Sequence, residues 1–180
     1  MPLAHAILAS LIRHACTGYG LAKSFDRSLG YFWNATHQQI YHELARLEAQ
    51  DLIISEIVEQ EGRPTQKLYS ATSLGREVLA EWIAQPTEPS PLREDLLVKV
   101  FAGGLVPRSV LLEELKRYRI LHLEKLTFYQ EMKQHDFSQM DGFDLDATLR
   151  YLPLSRGIRY EAEWIAWCDE AIHLLDKEML

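Results

Sequence analysis

The segment of residues 34–52 follows the period of a helix, and directly after it, over residues 52–59, the pattern changes to alternation. The apolar positions of the helical part recur at intervals of four and three: they are Ile40, Leu44 and Leu47. This spacing predicts a helix with one buried stripe, and the alternation predicts a strand with Leu52 and Ile54 facing the core. The fold must therefore pass from an amphipathic helix straight into a β-hairpin.

The start of this helix is unusually polar. Asn34 or Thr36 can cap it, and Thr36 with Gln39 has the S/T-x-x-E/Q spacing of a capping box. Amides and an imidazole fill the first turn: His37, Gln38 and Gln39. Glutamine can pair with the edge of adenine, and a helix N-terminus attracts phosphate. The segment is therefore interpreted as a recognition helix, with an ordinary surface helix as the alternative that this segment alone leaves open.

The flanking segments complete a recognisable order of elements. Two shorter helices are predicted before it, over Leu3–Ala15 and Leu21–Leu29, and Glu61–Thr65 carries the Gly and Pro of a hairpin turn. A second strand over Lys67–Ala71 and a helix over Thr72–Gln85 follow. Helix, helix, helix, hairpin, helix is the order of a winged helix-turn-helix domain.

At first sight the overall charge argues against a nucleic-acid partner. The chain has a net charge of −7, and residues 1–85 carry 7 Lys and Arg against 9 Asp and Glu. A positive surface would have to be assembled from five residues: Lys23, Arg27, Arg46, Arg63 and Lys67. So few cations predict a modest, salt-sensitive affinity that a second subunit would need to reinforce.

The second half of the chain is predicted to be helical. After the proline-containing linker Thr87–Pro91, a short helix over Leu92–Ala102 precedes two long striped helices, from about Arg108 to His135 and from about Leu154 to Met179. Such stripes are too long for one short helix to cover, which favours a dimer interface over a monomeric bundle. The predicted fold class is mainly α with a small β-hairpin wing, with a winged helix-turn-helix domain at 1–85 and a C-terminal antiparallel helical dimerisation domain at 86–180.

Neither a membrane span nor a disulfide is expected. No apolar run reaches the roughly 18 residues of a membrane helix, and the apolar N-terminus lacks the basic segment of a signal peptide. Cys16 and Cys168 both lie in apolar patterns interpreted as helical. Buried free thiols in a reducing cytoplasm are therefore expected.

The motifs of common enzymes and metal sites are absent. The chain has no His-Glu-x-x-His, Cys-x-x-Cys or G-x-S-x-G pattern and no phosphate-binding glycine loop. Asp141, Asp144 and Asp146 lack the spacing and the final Glu of a calcium loop. We therefore expect no catalysis, no cofactor and no metal.

Aromatic residues in the two long helices are candidates for a ligand site. Tyr118, His122, Trp164 and Trp167 could line a pocket for a small aromatic molecule, between the domains or at the dimer seam. The alternative is that these side chains belong to the core, as aromatic stripes at helical spacing usually do.

Several motifs of the first half resemble PadR-type transcriptional regulators. They are GYGLAKSF, IYHELARLEAQDLI and GRPTQKLYSATSLGREVLAEWI. The family pattern has a Tyr early in the recognition helix before a Leu-x-x-Leu-Glu run, found here as Tyr41 and Leu44–Glu48. Its Gly-Arg-x-x-Lys-x-Tyr wing is similar to Gly62–Tyr69, which has one additional residue between Arg63 and Lys67, and its Thr-x-x-Gly helix start is similar to Thr72–Gly75.

The second half is similar to the C-terminal region of longer, AphA-like members, through REDLLVKVFAG and EWIAWCDEAIHLL. The resemblance implies a homodimeric transcription factor that binds double-stranded DNA and dimerises through its C-terminal helices. Carried over by position, it implies seven DNA contacts: Thr36, His37, Gln38, Gln39, Tyr41, Arg63 and Lys67. A winged helix that contacts proteins instead of DNA is the alternative.

Overall fold

The structure, a computed structural model, describes residues 2–25, 33–60, 63–138 and 144–177. The chain divides into two compact units, Met1–Pro89 and Ser90–Leu180. The elements of the first unit are α1 (Pro2–Arg13), β1 (Cys16–Thr17), α2 (Gly18–Ser24), α3 (His37–Ala49), β2 (Ile53–Gln60), β3 (Arg63–Ala71) and α4 (Ser73–Ile83). The predicted order of three helices, a hairpin and a helix is therefore confirmed.

The core of the first unit is built from the helical stripes that the sequence predicts. All three apolar residues of the α3 stripe are buried: Ile40, Leu44 and Leu47. They pack with Ile7, Leu8 and Leu11 of α1 and with Leu21 and Phe25 at α2. Burying each of these side chains contributes about 1.5–3 kcal/mol. The α3 stripe thus fixes which face of that helix is left for solvent.

Strands β2 and β3 form the predicted hairpin, but the buried face of β2 is the opposite one. Ile53 is fully buried and Ile54 is 50% exposed, so the prediction that Ile54 faces the core is wrong, whereas Leu52 is half-buried and packs against the core as predicted. The reason is the register, which pairs Ile53 with Ala71 and leaves alternate side chains outside. Strand β3 also begins at Arg63, inside the predicted turn.

A third strand, which was not predicted from the sequence, completes the sheet in the order β1-β3-β2. Cys16 pairs with Tyr69 in this antiparallel sheet, so it lies in a strand and not in a helix, and it is only half-buried. Thr17 then caps α2 through a 3.0 Å hydrogen bond from Gly20 N. The predicted end of this helix, Leu29 with Gly30, lies outside the described residues.

The second unit consists of α5 (Asp95–Phe101), a short 3-10 helix (Gly103–Leu105), α6 (Arg108–Asp136) and α7 (Leu145–Lys177). Helix α5 starts later than predicted because Glu94 caps it, accepting from Leu96 N at 3.5 Å. Helix α7 starts earlier, at Leu145, because the Asp144 carboxylate accepts from Ala147 N at 2.7 Å.

Helices α6 and α7 pack antiparallel. Arg119 of α6 donates to Asp169 of α7 at 2.6 Å, whereas Phe137, just past the end of α6, packs on Tyr151, early in α7. The buried centre of the unit contains Leu96, Leu115 and Cys168, and the free-thiol prediction for Cys168 is confirmed. Within the described ranges, none of the helices combines the length and apolar character needed to cross a membrane.

Candidate functional site

The first turn of α3 is held by the predicted capping box. Gln39 N donates to Thr36 Oγ1 at 3.2 Å, and Thr36 N donates to Gln39 Oε1 at 2.9 Å. Two of the otherwise unpaired N–H groups of the helix start are satisfied in this way. The side chains of Thr36 and Gln39 thus have a structural task, which sequence spacing alone revealed.

His37 and Gln38 lie between the two capping residues, and both are exposed. They are the first two residues of α3, so their side chains stand at the positive end of the helix dipole. Because Ile40 begins the buried stripe directly afterwards, the polar turn is directed away from the core. This turn offers hydrogen-bonding groups on a fixed backbone at the surface.

Tyr41 is positioned by the absence of a side chain at Gly18. A Cβ at position 18 would lie 2.5 Å from Tyr41 Cε1, so the ring occupies the space that any larger residue would need. The Tyr41 side chain is nevertheless 47% exposed. Gly18, the first residue of α2, thus lets the ring of a predicted DNA contact pack against the backbone of the neighbouring helix.

The hairpin carries the two predicted wing cations. Arg63 begins β3, and its side chain lies outside the described residues. Lys67 Nζ lies 3.4 Å from Glu48 Oε2 at the end of α3. The other oxygen of that carboxylate accepts a hydrogen bond from Ser55 Oγ on β2. The Ser55 hydroxyl first, and Lys67 second, lower the pKa of Glu48.

Acidic partners reduce the positive surface that the sequence predicted. Arg46 donates from Nη2 to Glu43 Oε1 at 2.7 Å, and Glu43 is buried. Lys23 lies exposed in the last turn of α2, and Arg27 lies outside the described residues. The i, i+3 spacing of Glu43 and Arg46 could have revealed the first of these pairs from sequence, whereas the partners of Glu48 are too distant in the chain.

The predicted aromatic candidates gather around Trp164 in the second unit. The ring of His122 stacks on Trp164 with centroids 5.2 Å apart and planes 7° apart. Tyr118 and Trp167 contact the same indole at 5.7 and 5.3 Å. All four candidates are thus brought together, and a large part of the cluster belongs to the core.

Two polar contacts fix side chains of this aromatic cluster, one of them buried and the other half-buried. His122 Nδ1 pairs with Glu161 Oε2 in the interior, where both residues are less than a tenth exposed. The hydroxyl of Tyr118 donates to Glu94 Oε1 at 2.6 Å, and this hydrogen bond is the main cause that raises the pKa of Tyr118 to about 12. Glu161 and Glu94 were not predicted from the sequence, because each of them pairs with a residue of another element.

A cavity of about 370 Å³ opens beside the cluster. Its lining is aromatic and aliphatic, with one cation and one carboxylate: Leu92, Leu97, Arg156, Tyr160, Glu163, Trp164 and Trp167. Tyr118 and His122 do not line it, so only Trp164 and Trp167 of the predicted candidates face this space. Arg156 lies over the ring of Tyr160, with its guanidinium carbon 5.5 Å from the ring centroid. The cavity can thus offer aromatic faces together with one positive charge.

Two models of known protein families match this chain, one in each half. A family model described as "Transcriptional regulator PadR-like family" matches residues 7–81. A second model, "Virulence activator alpha C-term", matches residues 92–176. Both halves therefore match the families that their motifs suggested, which confirms the resemblance.

Individual relatives match over almost the full chain. A protein of Mycobacterium tuberculosis named "Probable transcriptional regulator" is 38% identical over 188 aligned residues, covering 99% of this chain and 100% of the relative. The virulence activator AphA of Vibrio cholerae is 31% identical to this chain in sequence. Its structure matches with a TM-score of 0.79, and the match covers 97% of this chain and 98% of AphA. These relatives are regulators and not enzymes, which confirms the expectation of a protein without catalysis.

The fold is also that of Bacillus subtilis PadR. Its structure in complex with operator DNA has a TM-score of 0.85 at 23% identity and covers 97% of this chain and 99% of PadR. PadR in complex with p-coumaric acid matches with a TM-score of 0.79 at 24% identity, covering 97% and 99%. The mainly α fold class with a winged helix and a C-terminal helical region is confirmed by these likenesses.

Proposed function

Because this chain belongs to the PadR-like family of transcriptional regulators, we propose that it binds a palindromic DNA operator as a homodimer. The first turn of α3 enters the major groove, and the β2–β3 hairpin contacts the neighbouring backbone. The observation that carries the proposal is the capped, exposed polar turn at the start of α3. A winged helix presents its recognition helix to base edges in this way.

The residues of this turn match the chemistry of direct readout. The amide of Gln38 can both donate to and accept from an adenine edge, and His37 can donate or accept at a base or a phosphate. Thr36 and Gln39, whose own N–H groups bond to each other's side chains, hold the helix start in place, and a helix N-terminus favours phosphate. Tyr41, packed over Gly18, is placed to contact the sugar-phosphate backbone with its exposed part.

The wing supplies contacts that do not depend on sequence. Arg63 and Lys67 lie on the same strand, β3, and both can neutralise phosphates. The net charge of residues 1–85 is slightly negative, so each of these cations contributes a large share of the electrostatic attraction. We therefore expect affinity to fall steeply as salt rises.

The second unit supports dimerisation. Within the described residues it exposes many large apolar side chains, most of them on the two long helices: Val98, Phe101, Leu105, Ile120, Leu123, Phe128, Leu145, Leu149, Leu152 and Leu174. Phe101, the last residue of α5, is 94% exposed in the single chain. Monomers rarely leave so much apolar surface in water, and a second copy related by a two-fold axis would cover it.

A small aromatic acid is the proposed effector. The cavity beside Trp164 and Trp167 provides aromatic faces, and Arg156 at its edge can bind a carboxylate. Its volume of about 370 Å³ lies within the usual range of small-molecule sites. The relative PadR of Bacillus subtilis, with the same fold, binds p-coumaric acid.

The DNA proposal is tested by selecting fragments of the host genome that bind the purified protein. The selected operator should then be titrated by fluorescence anisotropy at two salt concentrations, with a scrambled duplex as the control. Preferential binding that weakens with salt, by a particle of twice the chain mass, is expected. A protein that stays monomeric, or that ignores DNA at low salt and captures a protein instead, would support the protein-binding alternative.

The effector proposal has its own readout in tryptophan fluorescence. Titration with p-coumaric acid should quench the emission and lower operator affinity, and Arg156→Gln should weaken both effects. Trp82→Phe is the matched control, because Trp82 lies in the first unit, where it stacks on His5. If quenching disappears in Trp82→Phe and persists in Arg156→Gln, the ligand binds near Trp82 in the first unit and not in the cavity lined by Arg156.

A further inference from the structure

One carboxylate joins the three elements that form the proposed DNA-binding surface. Glu48 lies in the last turn of α3, Ser55 on β2 and Lys67 on β3. Ser55 Oγ donates a hydrogen bond to one oxygen of Glu48, and Lys67 Nζ lies 3.4 Å from the other. The recognition helix is thereby connected through side chains to both strands of the wing.

The ion pair between Lys67 and Glu48 is accessible to solvent. The side chain of Lys67 is 52% exposed and that of Glu48 is 33% exposed, so solvent and ions reach the pair. A pair of this kind is weak, and a DNA phosphate can replace the carboxylate as the partner of Lys67. The Ser55 hydrogen bond does not involve Lys67 and can keep Glu48 in place while Lys67 moves.

A carboxylate at a DNA-binding surface repels phosphate on every sequence alike. An acidic residue at this position therefore lowers the affinity for DNA of any sequence. The contacts of Glu48 with Ser55 and Lys67 also fix the position of the hairpin and of its cation relative to α3. With that position fixed, Lys67 exchanges Glu48 for phosphate when α3 is seated in the groove, and it stays paired on DNA that α3 does not fit.

We propose that Glu48 is a positioning residue that couples the Lys67 contact to correct docking of α3, and so increases discrimination between operator and unrelated DNA. The proposal rests on the DNA-binding function proposed above. Glu48 itself touches no base and no phosphate. It acts through Lys67, and Ser55 holds its carboxylate.

The test is Glu48→Gln, with Kd measured for operator and for an unrelated duplex of equal length across a salt series. Affinity for unrelated DNA should rise about threefold, and its salt slope should steepen by about one, because Lys67 is released to contact phosphate. Affinity for the operator should change by less, so the ratio between the two Kd values should fall. A role in folding alone would not change the salt slope.

Two further variants separate positioning from bulk charge. Glu56→Gln removes the same charge from an exposed neighbouring position on β2 and is the matched control. Ser55→Ala removes the hydrogen bond while keeping every charge, and it should lower the Kd ratio without steepening the salt slope. Thermal unfolding of each variant checks that the domain stays folded.

Equal effects of Glu48→Gln and Glu56→Gln on both duplexes would overturn the proposal, because charge alone would then explain them. An unchanged Kd ratio in Ser55→Ala would also count against it. These failures differ from failure of the DNA-binding proposal itself. If the unaltered protein prefers its operator and only the variants fail to respond, then DNA binding stands and the positioning role falls.

Discussion

The imidazole of His122 lies parallel to the indole of Trp164, with ring centroids 5.2 Å apart. The same imidazole pairs through Nδ1 with the buried carboxylate of Glu161. His122 of α6 thus contacts α7 twice, by stacking on Trp164 and by a polar contact with Glu161. Because Glu161 and Trp164 are three residues apart on one helical face, a single side chain can reach both.

His122→Ala should therefore destabilise the second unit strongly. It removes the stacking partner and leaves a buried carboxylate without its polar contact, which costs about 3–5 kcal/mol in comparable buried pairs. Urea unfolding followed by tryptophan fluorescence measures the loss. His135→Ala is the control, because His135 pairs with Asp136 at the surface, and no measurable loss is expected there. Similar losses in the two variants would show that burial of the pair is not the cause.

Gln38→Ala and Arg63→Ala should change DNA binding in different ways. Removing the Gln38 amide should cost about 1–3 kcal/mol at the operator and relax preference for one base pair. Removing the Arg63 cation should weaken binding to all sequences alike and lower the salt slope by about one. Competition binding against operators substituted one position at a time measures both effects. Equal effects of the two variants on specificity would contradict this division of roles.

Gly18→Ala should displace the ring of Tyr41. The new Cβ would stand 2.5 Å from Tyr41 Cε1, and overpacking of this kind typically costs about 1–3 kcal/mol. Operator affinity should fall as well, because Tyr41 lies on the proposed DNA surface. The cost should shrink when Tyr41 is also replaced by Ala, which a double-mutant cycle of unfolding free energies measures.

The matched control for this change is Gly104→Ala. A Cβ at Gly104 meets no atom within 4 Å, so this substitution should leave stability unchanged or slightly higher. If the cost at Gly18 persists in the Tyr41→Ala background, its origin lies in the backbone of α2 and not in the ring.

Glu114 should make the second unit sensitive to acid. Hydrogen bonds from Arg117 first and Lys99 second lower the pKa of its carboxyl from 4.5 to about 2. A carboxyl whose pKa is lowered by folding stabilises the folded state at pH values above its ordinary pKa. That stabilisation is lost as the pH falls from 4.5 towards about 2. Glu114→Gln should therefore flatten the dependence of the unfolding temperature on pH in this window. Glu113→Gln, which removes the neighbouring exposed carboxylate, should leave the slope as it is.

The sequence by itself determined the elements whose signals are local. The buried stripe of α3, the capping box of Thr36 with Gln39, and the order of helices and hairpin all depend on residues within one or two turns of each other. Motifs of the same local kind were enough to indicate the family. In the second unit, the stripes of α6 and α7 were visible for the same reason, although Pro153 inside α7 concealed where that helix begins.

Tertiary structure alone decided which groups meet across elements. The register of β2 on β3 put Ile53 inside and Ile54 outside, and a shift of one residue would have reversed them. Glu161 is buried because His122 reaches it from another helix, and Glu48 is held by residues of both wing strands. Such partners are separated by many residues, so no local period contains them. Their pairing follows from the packing that brings the elements together.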